Sequence, residues 1–64
     1  MIGRWQIEAW HLNETDTAEQ DVLNSKNKAL ILADEWKKKY AQVEVYDTKE
    51  SVVITTGGRK NDDI

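Results

Sequence analysis

The stretch VEVYDTKESVVITT, residues 43–56, decides the predicted fold because its pattern predicts a β-hairpin. Two runs of β-branched and aromatic residues flank the polar tetrapeptide TKES, which has the length of a hairpin loop. With this loop, Asp47 is expected opposite Val52, and Tyr46 opposite Val53. The loop contains neither Gly nor Asn, so a one-residue slip that exchanges the faces of one strand stays open.

Alternation along the two strands gives this hairpin apolar side chains on both faces. One face is expected to carry Val43, Val45, Val52, Ile54 and Thr56, and the other Glu44, Tyr46, Val53 and Thr55. The preceding chain supplies one long helix, which can cover only one of these faces. The surplus face is therefore the main indication of function in this sequence.

Residues 2–12 are predicted to form a first strand with a mostly apolar inner face. That face would carry Trp5, Ile7, Ala9 and His11. On the outer face, Trp10 and Leu12 interrupt a polar pattern. The surplus apolar face of the hairpin would therefore continue onto this strand.

A helix is predicted next, and two capping signals compete for its start. Residues 17–20, TAEQ, match a capping box, and Ser25 is a second candidate N-cap. A helix capped by Ser25 would place Lys26 and Lys28 in its first turn, where the helix dipole disfavours cations. We therefore expect one continuous helix from Ala18 to Ala41. Its apolar stripe would comprise Ala18, Val22, Ser25, Ala29, Leu32, Ala33, Trp36 and Tyr40.

The order strand, helix, strand, strand predicts one small α+β domain over residues 1–56 and a disordered tail over residues 57–64. A split βαβ arrangement would give a three-stranded antiparallel sheet of order 1-3-2 with the helix packed on one face. The helix would cover Trp5, Ile7, Ala9, Val43, Val45, Val52 and Ile54. The opposite face would be left open.

Composition narrows the class of protein. The chain has 64 residues, no Cys and a formal net charge of −3, so it lacks both a disulfide framework and the basic stripe typical of nucleic-acid binders. No apolar run is long enough to span a membrane, and residues 1–12 are too polar for a signal peptide, so we expect a cytoplasmic protein. Residues 5–25 contain no Lys or Arg, whereas five lysines crowd the predicted helix.

Catalysis and metal binding have little support in the sequence. His11 is the only histidine, and Ser25 and Ser51 occupy cap and turn positions where their hydroxyls have local structural roles. His11, Glu14 and Asp16 match neither the spacing of a zinc site nor that of a calcium loop. We therefore expect no enzyme activity, no metal and no cofactor.

The predicted function is a non-enzymatic protein–protein interaction through the open sheet face, oriented by the acidic segment. The candidate partner-binding residues are Trp10, Leu12, Tyr46, Val53, Glu14, Asp16, Glu19 and Asp21. The partner would be a second copy, in a face-to-face homodimer, or a host protein. A register shift, the tail or the front of the helix would be alternative covers for the same side chains.

Two further hypotheses use this surface. The layout resembles that of short phage-encoded proteins that block host polymerases or nucleases, in its order of strand, helix and hairpin and in its acidity. This resemblance implies an inhibitor that occupies a basic groove, and it carries no specific motif. The alternative function is single-stranded nucleic-acid binding, with bases stacked on Trp10 and Tyr46. The negative charge makes that alternative the weaker one.

Overall fold

The computed structural model describes residues 3–58, which form a four-stranded antiparallel sheet and one helix. The elements are β1 (Trp5–Trp10), β2 (Glu19–Leu23), α1 (Lys26–Trp36), β3 (Gln42–Asp47) and β4 (Val52–Gly57). The strand order is β2-β1-β3-β4. Both β2 and β3 pair antiparallel with β1, so they run in the same direction on either side of it, and α1 connects them. This is a split β-α-β unit to which β4 adds a hairpin.

The class is α+β, but the predicted three-stranded sheet of order 1-3-2 is wrong. The first strand pairs with the first strand of the hairpin, β3, and the second hairpin strand, β4, lies at the edge. An additional strand, β2, occupies the other side of β1. The four-residue loop between β3 and β4 places them side by side, and α1 brings β3 back beside β1.

The predicted helix over residues 18–24 is the source of the missing strand. Glu19–Leu23 forms β2, with Glu19 opposite Ala9 and Leu23 opposite Trp5. Extended pairing satisfies the outer edge of β1, which a helix would have left without hydrogen-bond partners. Leu23 also packs against the core from this position. Tertiary pairing therefore overrides the capping-box signal of residues 17–20.

Helix α1 begins after Ser25, the second of the two predicted N-caps. The Ser25 hydroxyl accepts a hydrogen bond from the Lys28 backbone N–H at 3.3 Å. The unfavourable position of Lys26 near the helix N-terminus is offset because its Nζ lies 5.7 Å from the centre of the Trp5 ring. The regular helix ends at Trp36 rather than at Ala41, and a Tyr40 N–H to Trp36 carbonyl bond continues the turn.

The core lies between α1 and one face of the sheet. It consists of Trp5, Ile7, Ala9, Ala29, Ala33, Trp36, Val43 and Val45, all at most 8% exposed. Leu23, Leu32, Tyr40 and Ile54 pack around it. Most of the predicted inner face is therefore confirmed, but Val52 is 49% exposed because the helix does not extend over the edge strand.

The hairpin register matches the prediction at its loop and departs from it beyond a β-bulge. Asp47 lies opposite Val52, and Tyr46 opposite Val53, as expected. The bulge then shifts the pairing, so Val45 lies opposite Thr55 rather than Ile54. As a result, Thr55 shares the helix-covered face and Thr56 the open one, the reverse of the predicted assignment.

The side chain of Asp47 fixes the loop that lacks Gly and Asn. One oxygen accepts hydrogen bonds from the backbone N–H groups of Lys49 and Glu50, at 2.9 and 3.3 Å. Ser51 supplies the left-handed residue of the turn, with φ of 60°. Its N–H donates to the Asp47 carbonyl at 2.7 Å.

The ends of the chain bear on two other expectations. Residues 1–2 and 59–64 lie outside the described residues, and so does most of the predicted tail. Gly57 ends β4, and Gly58 has φ of 147° and no room for a Cβ, which would meet the Ala41 carbonyl oxygen at 2.2 Å. Among residues 3–58, no helix has the length and apolar character that crossing a membrane requires.

Candidate functional site

The face of the sheet opposite α1 is not covered by any element of residues 3–58. We call it the open face. It consists of Gln6, Glu8, Trp10, Gln20, Val22, Gln42, Glu44, Tyr46, Val53 and Thr56. Their positions follow from alternation, since they lie between or opposite the residues that point into the core.

The first row of the open face crosses all four strands near the β3–β4 loop. It runs Val22, Gln6, Tyr46, Val53 through successive cross-strand pairs. Val22 and Val53 are 40% and 46% exposed, whereas Tyr46 between them is half-buried. The row therefore offers two apolar ends with an aromatic ring and an amide between them.

The second row places two acidic residues opposite each other on the central strands of the sheet. Glu8 lies directly opposite Glu44, with Gln20 and Thr56 at the ends of the row. Directly opposed like charges destabilise a sheet. Within residues 3–58, the Glu8 carboxylate has no hydrogen bond or ion pair, and the Glu44 carboxylate accepts one bond from the Gln42 amide at 3.0 Å. Among residues 3–58, no Lys or Arg forms an ion pair with Glu8 or Glu44.

The third row holds Trp10 and its cross-strand partner Gln42. The Trp10 indole N–H donates to the Thr15 carbonyl at 3.1 Å, which ties the β1–β2 loop to the end of the sheet. Beside it is an open pocket of about 400 Å³, lined by His11, Leu12, Asn13, Glu14, Thr15, Ala41 and Gln42. Gln42 belongs both to the open face and to the pocket lining, so the pocket adjoins the open face.

Five of the lysines among residues 3–58 lie in the helical layer of the molecule. Lys26, Lys28, Lys37, Lys38 and Lys39 belong to α1 and the turn that follows it. The Arg4 guanidinium stacks on Trp5, 4.5 Å from the ring centre, and binds both oxygens of Asp47 at 2.8 Å. This contact holds the pKa of the Asp47 carboxyl well below its usual range. Within residues 3–58, the lysines of α1 and the following turn therefore lie in the layer away from Glu8 and Glu44.

The structure divides the predicted partner-binding set among three places. Trp10, Tyr46 and Val53 lie on the open face. Leu12, which is 54% exposed, lies in the β1–β2 loop rather than on a strand, together with Glu14 and Asp16. Glu19 and Asp21 lie on β2 opposite Ala9 and Ile7, so they point to the helix side.

The Trp10 and Tyr46 rings do not form one cluster. Trp10 is four residues along β1 from Gln6, the partner of Tyr46, which is a separation of about 13 Å. Glu8 and Glu44 lie between the two rings. A nucleic-acid strand stacked on both rings would pass over two carboxylates with the lysines on the far side, and this disfavours the alternative function.

Sequence reasoning missed Glu8 and Glu44 as site residues. They occupy alternating polar positions of strands, the ordinary pattern of a solvent-facing side. Only the pairing of β1 with β3 brings them opposite each other. The predicted order of 1-3-2 separates their strands, so it could not reveal the pair.

A second polar cluster, at the end of β1, has a structural role. The His11 and Tyr40 ring centres are 5.3 Å apart, and the Tyr40 hydroxyl donates to a Glu19 carboxylate oxygen. This hydrogen bond raises the pKa of Tyr40. The contacts tie β2 and the end of β1 to the turn after α1. Residues 3–58 include no group of three or more His, Asp or Glu side chains placed to hold a metal ion.

Comparison with known proteins does not assign the chain to a family. It matches no family model, and neither curated proteins nor solved structures give a match. The open face is therefore interpreted from its geometry.

Proposed function

We propose that this protein is a non-enzymatic interaction module whose open face binds a basic surface of another protein. The observation that carries the proposal is the Glu8–Glu44 pair, in which two like charges oppose each other on a sheet face that no element of residues 3–58 covers. A cationic side chain from a partner would relieve this repulsion, and bidentate guanidinium binding suits carboxylates best.

The surroundings of the pair support a protein partner. Val22 and Val53 flank the first row with exposed aliphatic surface, and Tyr46 lies between them. Tyr is enriched in protein interfaces, and the exposed valines beside Tyr46 would add apolar contact area. The rows also contain Gln6, Gln20 and Gln42, whose amides both donate and accept hydrogen bonds.

A basic partner fits this face better than a second copy of the chain does. Two open faces packed together would bring the carboxylates of Glu8 and Glu44 from both copies into one interface. Burying charge without a counter-charge is costly. The inhibitor hypothesis is a special case of the proposal, in which the basic surface is the nucleic-acid groove of an enzyme.

Peptide selection tests the chemistry of the partner. Random peptides displayed on phage are selected against the immobilised protein, and the enriched sequences are synthesised. We expect Arg or Lys next to aliphatic or aromatic residues. Enrichment of acidic or uncharged peptides would contradict the proposal.

Matched variants then locate the binding surface. The double variant Glu8→Gln/Glu44→Gln is expected to weaken binding of the selected peptides by about tenfold or more. The control Glu35→Gln/Glu50→Gln makes the same charge change off the open face, at exposed positions, and should leave affinity within about twofold. Equal losses in both would show that only net charge matters and would reject the open face.

A third variant examines the acidic β1–β2 loop. Glu14→Gln/Asp16→Asn removes two exposed charges that lie beyond the end of β1. If the loop orients the partner, as the sequence predicts, the association rate should fall while the dissociation rate changes little. Stopped-flow or surface plasmon resonance at low salt measures both rates.

A further inference from the structure

We infer that the outer edge of β4 pairs antiparallel with the β4 edge of a second copy of this chain, forming one continuous sheet. This inference concerns an edge of the sheet, whereas the proposed function concerns its open face, and the two are independent.

The backbone pairing of the sheet shows which groups point outward at its two edges. Thr48 donates its N–H to the Arg4 carbonyl at 3.0 Å, so the even-numbered residues of β3 direct their backbone groups to β1. The odd-numbered residues of β3 then face β4, and those of β1 face β2. On β2, the N–H groups that point away from the sheet are therefore those of Gln20 and Val22. On β4, they are those of Val53 and Thr56.

The β2 edge is protected against pairing. Val22 donates its outward N–H to a carboxylate oxygen of Asp21 at 2.8 Å, which both confirms its direction and occupies the donor. The strand also carries Glu19 and Asp21, so two β2 edges would repel each other. Charged side chains on an edge are a common means of preventing sheet extension.

The β4 edge lacks the charges and the occupied donor that protect the β2 edge, although it does contain the bulge described above. Residues 52–56 are five consecutive β-branched residues without a charge or a proline. No side-chain or loop acceptor among residues 3–58 occupies the N–H groups of Val53 and Thr56. Val52 and Val53 are also 49% and 46% exposed. An uncharged exposed edge of this composition is a template for strand addition.

A second copy fits this edge because the outward groups are self-complementary. In an antiparallel pair, Val53 of one copy lies opposite Thr56 of the other, and the two-fold axis repeats the contact. The two reciprocal pairs supply about four backbone hydrogen bonds. Because the edges are uncharged, no like charges meet between the paired strands.

The bulge at Val45/Tyr46 restricts this ladder to its two pairs, so we expect a reversible dimer. The acidic β2 edges lie outermost, and the assembly closes at two copies. Both open faces then lie on the same side of an eight-stranded sheet. A partner with repeated basic sites would bind it bivalently.

Proline substitutions test the edge. Sedimentation equilibrium of the full chain from 10 to 500 µM should show a monomer–dimer equilibrium, with the concentrations chosen to bracket a weak dimer, on the order of 100 µM. Thr56→Pro removes an outward donor without removing a bond of the monomer, and should weaken the dimer by at least tenfold. The control Gln20→Pro makes the same change at the β2 edge and should not affect dimerisation. Circular dichroism confirms that each variant is folded.

Hydrogen exchange of the unmodified chain gives a second readout. The amides of Val53 and Thr56 should be protected at 500 µM and exchange about threefold faster at 10 µM, while the amide of Gln20 should not respond. A strict monomer at 500 µM overturns the inference. A dimer that is weakened by Gln20→Pro rather than by Thr56→Pro also overturns it, because that dimer would form through β2. A dimer that is strengthened by Glu8→Gln/Glu44→Gln and unaffected by Thr56→Pro overturns it as well, because that dimer would be face to face.

Discussion

The two faces of the sheet differ in whether their charged side chains have partners. Within residues 3–58, the covered face has one buried charge, Asp47, which is 3% exposed and receives two hydrogen bonds from Arg4 and two from the loop backbone. The open face has Glu8 and Glu44 opposite each other, with no cation of residues 3–58 beside them. Among residues 3–58, the sheet thus compensates the charge that folding buries and leaves the two charges on its open face uncompensated.

The largest contrast between the faces is expected for valine truncation. Val45→Ala removes two methyl groups from a fully buried position and should lower the free energy of unfolding by about 2–3 kcal/mol. Val53→Ala makes the same change at a residue that is 46% exposed and should cost less than about 1 kcal/mol. Urea denaturation of both variants measures the difference. Equal losses would show that the open face is covered in solution.

The buried carboxylate should give the next largest effect. Asp47→Asn removes the ion pair with Arg4 and weakens the loop anchor, and should lower the melting temperature at pH 7 by about 5–10 °C. The control Asp34→Asn, at an exposed helix position paired to Lys37 at 3.7 Å, should change it by less than about 2 °C.

The stability loss caused by Asp47→Asn should depend on pH. The folded-state pKa of Asp47 lies below its unfolded value of about 3.9, so its contribution is complete above that pH and is lost as pH falls below it. The melting-temperature gap between the native chain and Asp47→Asn should therefore be constant from pH 7 to about pH 5 and narrow from about pH 4 downward. A gap that at pH 2 is as large as at pH 7 would show that the ion pair is not its cause.

The open face should give the smallest effect, with the opposite sign. Glu8→Gln removes one of two opposed charges and should raise the free energy of unfolding by about 0.5 kcal/mol, or the melting temperature by about 2–4 °C. Added salt screens this repulsion, so the gain should shrink in 1 M NaCl. Destabilisation by Glu8→Gln would mean that the carboxylate has a partner within the folded chain.

Much of the covered face was predictable from the sequence. The alternation of Trp5, Ile7 and Ala9 and of Val43 and Val45 identified the inner sides of the two central strands. Ser25 was recognised as a candidate cap. These features depend on neighbours along the chain, which a sequence pattern contains.

The open face was predictable only in part. Trp10, Tyr46 and Val53 were placed outward correctly, but Leu12 lies in a loop, and the acidic residues of β2 point to the helix side. The predicted helix over residues 18–24 concealed β2 because a capping box is a local signal, whereas an edge strand forms through pairing with a distant strand.

The sequence by itself determined a small α+β domain with an apolar surplus on one face, because side-chain periodicity encodes which side of each element is buried. Only the tertiary structure decided that β1 pairs with β3, that β2 exists, and that a bulge reassigns Thr55 and Thr56. Those features depend on contacts between residues far apart in the chain. The opposition of Glu8 and Glu44, on which the proposed function depends, is one of them.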